Sequence, residues 1–372
     1  MSALPNTQPR ERLQSSWYDL VSEQLKTLIP KFGLEQESPQ LCRAYELICN
    51  ESLGLHPGAS ASTLNHDRTP IQFSLAMGSG EMPPLQFLSE VGDPRLSGAD
   101  QREFVASRVR SLSEMLHLRG DLNDLGDLID RTTAVDTHEL DPDHGGTLWI
   151  GASFAPRGRC GLKIYLNGKN GTEDERWARL DRFVAHFGNL KKQLGLRRLT
   201  ASKLSPLGMA ISLSPDESPT GRIYLSGYGN RVAYYERLLQ HFGDGQYVDA
   251  FNQYTELMLG EDRAYPTQSA VFSIGLGQTS GRRTDAKIEF CGHCLFQSDA
   301  QALDRYLQWL TLRKIDALPY TDLLDVIAPG KISSTKVNTH IYLGLGWKDE
   351  QEYTTIYLKP HPAECESRCD EL

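Results

Sequence analysis

Five pairs of short segments, each alternating apolar with polar residues, recur along the chain, and helical periodicity follows each of the first four. The pairs are Ile71–Met77 with Leu85–Glu90, Thr147–Phe154 with Gly161–Leu166, Met209–Ser214 with Gly221–Ser226, Ala270–Gly275 with Ala286–Cys291, and Asn338–Trp347 with Tyr353–Lys359. Their starts lie 61 to 76 residues apart, the mark of a repeated ββα unit. The helical stretches are near 100–131, Glu173–Leu194, Val232–Phe242 with Tyr247–Leu259, and Ala300–Leu312. Residues 1–60 also read as helical, through Trp17, Leu20, Val21, Leu25, Leu41, Tyr45, Ile48 and Leu53, with Pro30 and Pro39 interrupting.

Alternation gives each strand two faces. One is apolar and is expected to pack on the helices. The other collects Gln72, Ser74, Trp149, Ser153, Lys163, Tyr165, Ser212, Arg222, Tyr224, Lys287, Glu289, His340, Tyr342, Thr355, Tyr357 and Lys359. The wet face of an open sheet would be richer in Glu, Asp and Thr; this one is rich in Tyr and net basic. Ten antiparallel strands with helices on one side can close around a ligand. The expected fold is therefore α/β (α+β): one domain over 1–372, a ten-stranded antiparallel barrel with helices outside and a polar, aromatic, cationic lumen. An open sheet is the alternative.

Composition narrows the function classes. In 372 residues, 39 Lys+Arg stand against 48 Asp+Glu, a net charge of −9, and the pI is near 5.6. No long basic run suits nucleic acid or an acidic membrane surface. No stretch reaches the roughly 18 apolar residues of a spanning helix, and the N-terminus lacks an apolar leader core. The expectation is a soluble, cytoplasmic protein. Seven cysteines without a secretion signal argue against a disulfide framework.

The polar face suggests its own chemistry. Lys163, Arg222, Lys287 and Lys359 suit an anion such as a diphosphate, held by charge-assisted hydrogen bonds. Tyr165, Tyr224, Tyr342 and Tyr357 offer π-faces to a cation. Together they describe a site that binds an allylic diphosphate, lets it ionise and keeps water from the carbocation.

The chain also resembles a known family. From about residue 40 onward, Arg68-Thr-Pro-Ile-Gln-Phe-Ser-Leu-Ala76, Leu148-Trp149, Gly161-Leu-Lys-Ile-Tyr-Leu-Asn167, Arg222-Ile-Tyr-Leu225, Ile341-Tyr-Leu343 and Thr355-Ile-Tyr357 occur in an order and spacing similar to the aromatic prenyltransferases of the αββα-barrel (ABBA) type, especially bacterial indole prenyltransferases of the dimethylallyltryptophan synthase family. The resemblance implies metal-independent Friedel–Crafts alkylation of an indole, such as tryptophan or a tryptophan-derived peptide or lactam, by dimethylallyl or geranyl diphosphate in secondary metabolism. It implies no metal and no cofactor, and no nucleic-acid or membrane partner. Lys163 and Arg222 correspond to diphosphate ligands; Tyr165, Tyr224 and Tyr357 to the shield around the allyl cation, with Tyr342 a further wall.

Some positions depart from the family pattern. Gln72 stands where a Glu usually accepts the indole N–H, Gln86 where an Arg is usual, Thr220 at another basic position and Glu289 where Tyr is common. Diphosphate binding then leans on Lys287 and Lys359 as well. The proton acceptor is left open between Glu289 and His340, both inward by strand parity. Two alternatives stay open: a phenol or other non-indole ring as acceptor, and a non-catalytic ligand-binding barrel.

Other motifs read more plainly. Cys291-Gly-His-Cys294 copies a dithiol spacing, yet Cys291 continues a strand, which disfavours redox chemistry. Zinc on Cys291, His293, Cys294 and the tail pair Cys365 and Cys369 ranks below ordinary thiols. Asp124, Asp127 and Asp130 read as the solvated face of a helix rather than a magnesium motif. Gly275-Leu-Gly277-Gln-Thr-Ser280-Gly281 lies between strands and is a hairpin loop, not a dinucleotide fingerprint. His66 and Asp67 precede the first strand and read as a solvated loop pair.

Overall fold

A computed structural model of the chain describes residues 16–49, 62, 64–65, 67–78, 80–91, 98–120, 122–132, 148–187, 204–227, 232–242, 246–260, 269–276, 285–330, 332, 335–348 and 351–361. The paired segments form ten strands: β1 (Ile71–Met77), β2 (Leu85–Glu90), β3 (Leu148–Ala155), β4 (Arg159–Asn167), β5 (Leu204–Leu213), β6 (Thr220–Gly227), β7 (Ala270–Leu276), β8 (Ala286–Cys291), β9 (His340–Lys348) and β10 (Gln351–Leu358). Each pairs antiparallel with its sequence neighbours, and β1 pairs with β10 through Phe73↔Leu358 to Met77↔Thr354. The sheet is a closed barrel, so no edge strand remains.

The outward residues explain the closure. Phe73, Ile150, Ile164, Ile211, Ile223, Phe272, Ile288, Leu343 and Ile356 are all completely buried, although they face away from the lumen. The helices cover them: α1 (Trp17–Lys31), α2 (Ser38–Cys49), α3 (Gly98–Met115), α4 (Leu122–Thr132), α5 (Glu173–His186), α6 (Val232–Phe242), α7 (Gln246–Leu259), the single turn α8 (Gly292–Leu295), α9 (Asp299–Arg313) and α10 (Leu318–Ile327). The main apolar core is thus a shell between barrel and helices. Tyr45 of α2, for example, meets the Phe87 ring edge-on at 6.0 Å.

Local chemistry sets the helix ends. Ser16 with Asp19, and Thr172 with Glu175, form capping boxes at α1 and α5. Pro39 falls in the first turn of α2, where a missing N–H costs nothing, and Pro30 falls in the last turn of α1. These prolines bound helices rather than interrupt them; Leu53 lies outside the described residues. The run expected near 100–131 is two helices, α3 and α4. His117 and Gly120 turn the chain between them through positive φ values of 51° and 150°. α10 was absent from the sequence expectation because its apolar residues follow α9 without a strand between them.

Two register shifts disturb the pleat, one in β5 at Pro206/Gly208 and one where Tyr357↔Tyr342 gives way to Leu358↔His340. The second leaves Ile341 unpaired, and a bulge of this kind reverses the side-chain direction beyond it. No described helix is long and apolar enough to cross a membrane.

Candidate active site

Inward residues stack in layers along the barrel. Near the end where β1 begins and β10 finishes lies a cavity of about 210 Å³, lined among others by Gln72, Leu88, Trp149, Tyr165, Tyr224, Val271, Glu289, Tyr342 and Tyr357. Tyr165 and Tyr224 lie 6.0 Å apart by ring centroid at 35°; Tyr342 and Tyr357 lie 6.2 Å apart at 86°. All four phenols are held well above their ordinary range by burial. They stay neutral, and their π-faces stay available.

A second layer, behind the tyrosines, carries the charge. Lys163 Nζ sits 4.9 Å from the Tyr165 ring centroid and 5.6 Å from that of Tyr224. Lys287 Nζ sits 5.3 Å from the Tyr357 ring centroid, donates to the Tyr357 hydroxyl at 3.1 Å and pairs with Glu289 at 2.6 Å. Arg222 pairs with Asp285 and donates to Ser273 Oγ at 3.0 Å. Burial works against the Arg222 charge, but Asp285 outweighs it and holds the guanidinium ionised. Burial lowers Lys287 despite Glu289. It lowers Lys163 much further, with the nearby Arg222 and Lys287 charges adding to the effect. Lys163 makes no ion pair with any described residue. Among the described residues, three basic side chains of the lumen therefore face two carboxylates, Asp285 and Glu289.

Glycines on β9 make room for this layer. A Cβ at Gly344 would lie 2.5 Å from Thr355 Oγ1 and 2.9 Å from Glu289 Cγ; one at Gly346 would lie 2.5 Å from Tyr353 Cζ. Tyr353 uses that room to donate to Asp285 at 3.2 Å.

Gln72, in the cavity wall and only 4% exposed, donates from Nε2 to Asn65 Oδ1 at 2.7 Å and to the Leu64 carbonyl at 3.4 Å. Its Oε1 accepts from no described residue.

No family model and no curated protein matches the chain. Solved structures do. Prenyltransferase PriB, in its binary complex with product diphosphate, aligns over 94% of this chain and 98% of its own, with TM-score 0.77 and 19% identity. The 6-dimethylallyltryptophan synthase from Micromonospora olivasterospora, solved with DMASPP and Trp, covers 93% and 97% at TM-score 0.78 and 17% identity. AnaPT from Neosartorya fischeri covers 93% and 94% at TM-score 0.73 and 12% identity. The chain has the ABBA prenyltransferase fold. At these identities the likeness speaks for architecture, and the chemistry has to rest on the residues themselves.

On that prenyltransferase barrel one expected site residue falls outside the lumen. His340 does not face the lumen: the bulge at Ile341 turns it outward, where it is 1% exposed between helices. Its Nδ1 lies 2.7 Å from Asp299 of α9 and its Nε2 2.7 Å from the Tyr320 hydroxyl of α10. Parity counted from the sequence fails there because one residue is inserted. Lys359 lies beyond β10, where it pairs with Asp67. Burial works against the Asp67 charge, but Lys359 and the Thr69 hydrogen bonds outweigh it and hold the carboxyl below its ordinary range. Neither Lys359 nor the three deeper cations line the cavity itself.

Several site residues escaped the sequence reading. Asp285, which accepts from Tyr353, pairs with Arg222, Lys169 lines the cavity, and Asn65 accepts from Gln72. Asp285 precedes its strand and Asn65 lies in a loop, so neither fell within an alternation pattern. Tyr353 shares the inward parity of Thr355 and Tyr357 on β10.

The remaining motifs stay apart from the cavity chemistry. The ligand atoms of Cys291, His293 and Cys294 lie within 4.8 Å of one another, three of the four donors of a structural zinc site. Burial pushes the Cys291 thiol up to about 12, opposite to a redox dithiol. Asp124 and Asp127 are exposed on α4. His66, Gly277, Ser280, Gly281, Cys365, Cys369 and the Asp130 side chain lie outside the described residues.

Proposed function

We propose that the chain is an aromatic prenyltransferase that moves a dimethylallyl group from its diphosphate to an indole. The observation that carries this reading is the stacking of neutral tyrosine faces directly over a layer of three basic side chains. Two lysine Nζ atoms already sit over the tyrosine faces, the placement that a positive charge would take on those rings. The structural neighbours point the same way: their complexes contain diphosphate, dimethylallyl thiolodiphosphate and tryptophan.

The diphosphate takes the Lys163, Arg222 and Lys287 layer, where the unpaired Lys163 gains an anion. The allylic C–O bond breaks, and its electron pair leaves with the diphosphate. The C5 cation meets the tyrosine faces rather than water. A ring carbon of the acceptor donates its π-electrons to form the C–C bond. The proton on that carbon then passes to a base, and Glu289 is the carboxylate in the cavity wall. Gln72 Oε1 receives the ring N–H. Three side-chain cations meet the charge of the leaving group, so the step is expected to run without a metal.

Incubation with dimethylallyl or geranyl diphosphate tests this, paired with tryptophan, a tryptophan cyclic dipeptide or a simple phenol, with and without EDTA. The expected result is gain of one prenyl group on an indole that survives EDTA. Gain on the phenol alone would move the acceptor class, since Gln72 Oε1 also suits a phenolic O–H. Intact diphosphate in every arm would leave a binding barrel.

A further inference from the structure

The Asn65 side chain sits between two backbone carbonyls, with Nδ2 2.6 Å from Thr69 O and 3.2 Å from Ile71 O. A carbonyl can only accept, so the Asn65 group facing both must be its NH₂. Asn65 Oδ1 is then the atom left to face Gln72, and it too can only accept. Gln72 must therefore turn its own NH₂ toward Asn65, a choice the Leu64 carbonyl reinforces. What remains is Oε1, without a described donor, on a residue that lines the cavity.

We propose that Asn65 is a positioning residue that locks Gln72 as a pure hydrogen-bond acceptor, so that the site selects aromatic rings carrying an N–H or O–H donor and rejects N-alkylated ones. This deepens the proposed function and rests on it. A free Gln amide could rotate to offer either end, whereas the Asn65 relay fixes one end without introducing a charge. A carboxylate in place of Gln72 would need no such relay, because both of its oxygens accept.

The test is calorimetric titration of tryptophan and of 1-methyltryptophan, each in the presence of inorganic diphosphate. The proteins are wild type, Asn65→Leu and the double variant Asn65→Leu/Gln72→Glu, with melting curves to confirm that each is folded. Leaving a buried acceptor unpaired weakens binding by roughly tenfold. Wild type is thus expected to prefer tryptophan over its methyl analogue by about that factor. Asn65→Leu should lose most of the preference through weaker tryptophan binding alone, and the double variant should regain it. Equal weakening of both ligands in Asn65→Leu would mark a structural role only and overturn the proposal. A preference unchanged in Asn65→Leu, absent in wild type, or not regained in the double variant would overturn it as well. A wild type that binds neither indole would overturn the proposed function and the proposal with it, a result distinct from the other four.

Discussion

Lys163 carries a cost in the folded protein. Its amine lies near the Arg222 and Lys287 charges and ion-pairs with no described carboxylate, and burial holds its pKa well below the ordinary lysine value. The unfolded chain binds that proton more readily, so near neutral pH the group destabilises the fold, and this loss eases as pH rises toward the unfolded value. Lys163→Met should therefore raise the melting temperature by a few degrees while weakening diphosphate binding by about 10–100-fold, readable by scanning fluorimetry and calorimetry. The same shift sets a pH dependence. An anion favours protonated Lys163, so binding draws in a proton wherever the free lysine is neutral. Affinity for diphosphate should fall as pH rises above the free Lys163 value, by up to about tenfold per pH unit, and calorimetry in buffers of differing ionisation enthalpy should register proton uptake. Glu289→Gln, which keeps the shape of the side chain, should lower kcat by roughly a hundredfold or more if Glu289 takes the ring proton. Unchanged turnover would remove it from that role.

At the scale of elements, the bulge in β9 decides what His340 does. Asp299 caps the incoming strand through the Thr339 and His340 amides and holds the His340 ring, tying α9 and α10 to the barrel. Burial works against the Asp299 charge, but His340 and the backbone amides outweigh it and hold the carboxyl below its usual range. His340→Ala should destabilise the fold by about 1–3 kcal/mol, because the buried Asp299 carboxylate and Tyr320 hydroxyl each lose a side-chain partner while Asp299 keeps its backbone amides, yet leave kcat of the folded fraction unchanged. Denaturant unfolding and steady-state kinetics on the same sample check both halves. The strands themselves were legible in the sequence because each has one face buried under helices and the other in the lumen. Lys163-x-Tyr165, Arg222-x-Tyr224 and Lys287-x-Glu289 keep their alternation across uninterrupted pairing, and their side chains fall where a period of two puts them. His340 lies beyond an inserted residue, and Ile-Tyr-Leu reads the same with or without a bulge. Asn65 and Asp285 lie where no periodicity exists, and only the folded chain brings them to Gln72 and Arg222.

Closure of the barrel turns ten half-polar strands into one chamber. The helices bury its outside, and its inside gathers a positive layer, four neutral phenols and a neutral acceptor amide in order along the axis. Each feature would be unremarkable on an open sheet, where water would screen the cations and hydrate the rings. Enclosure strengthens both and withholds the nucleophile that would destroy an allylic cation. In the proposed reaction this chamber ionises an allylic diphosphate against an aromatic ring. The direct test is the release of diphosphate from dimethylallyl diphosphate in EDTA, measured with and without tryptophan. Release should depend on tryptophan and match prenylated product one for one. Binding of the diphosphate without release in either arm would contradict it.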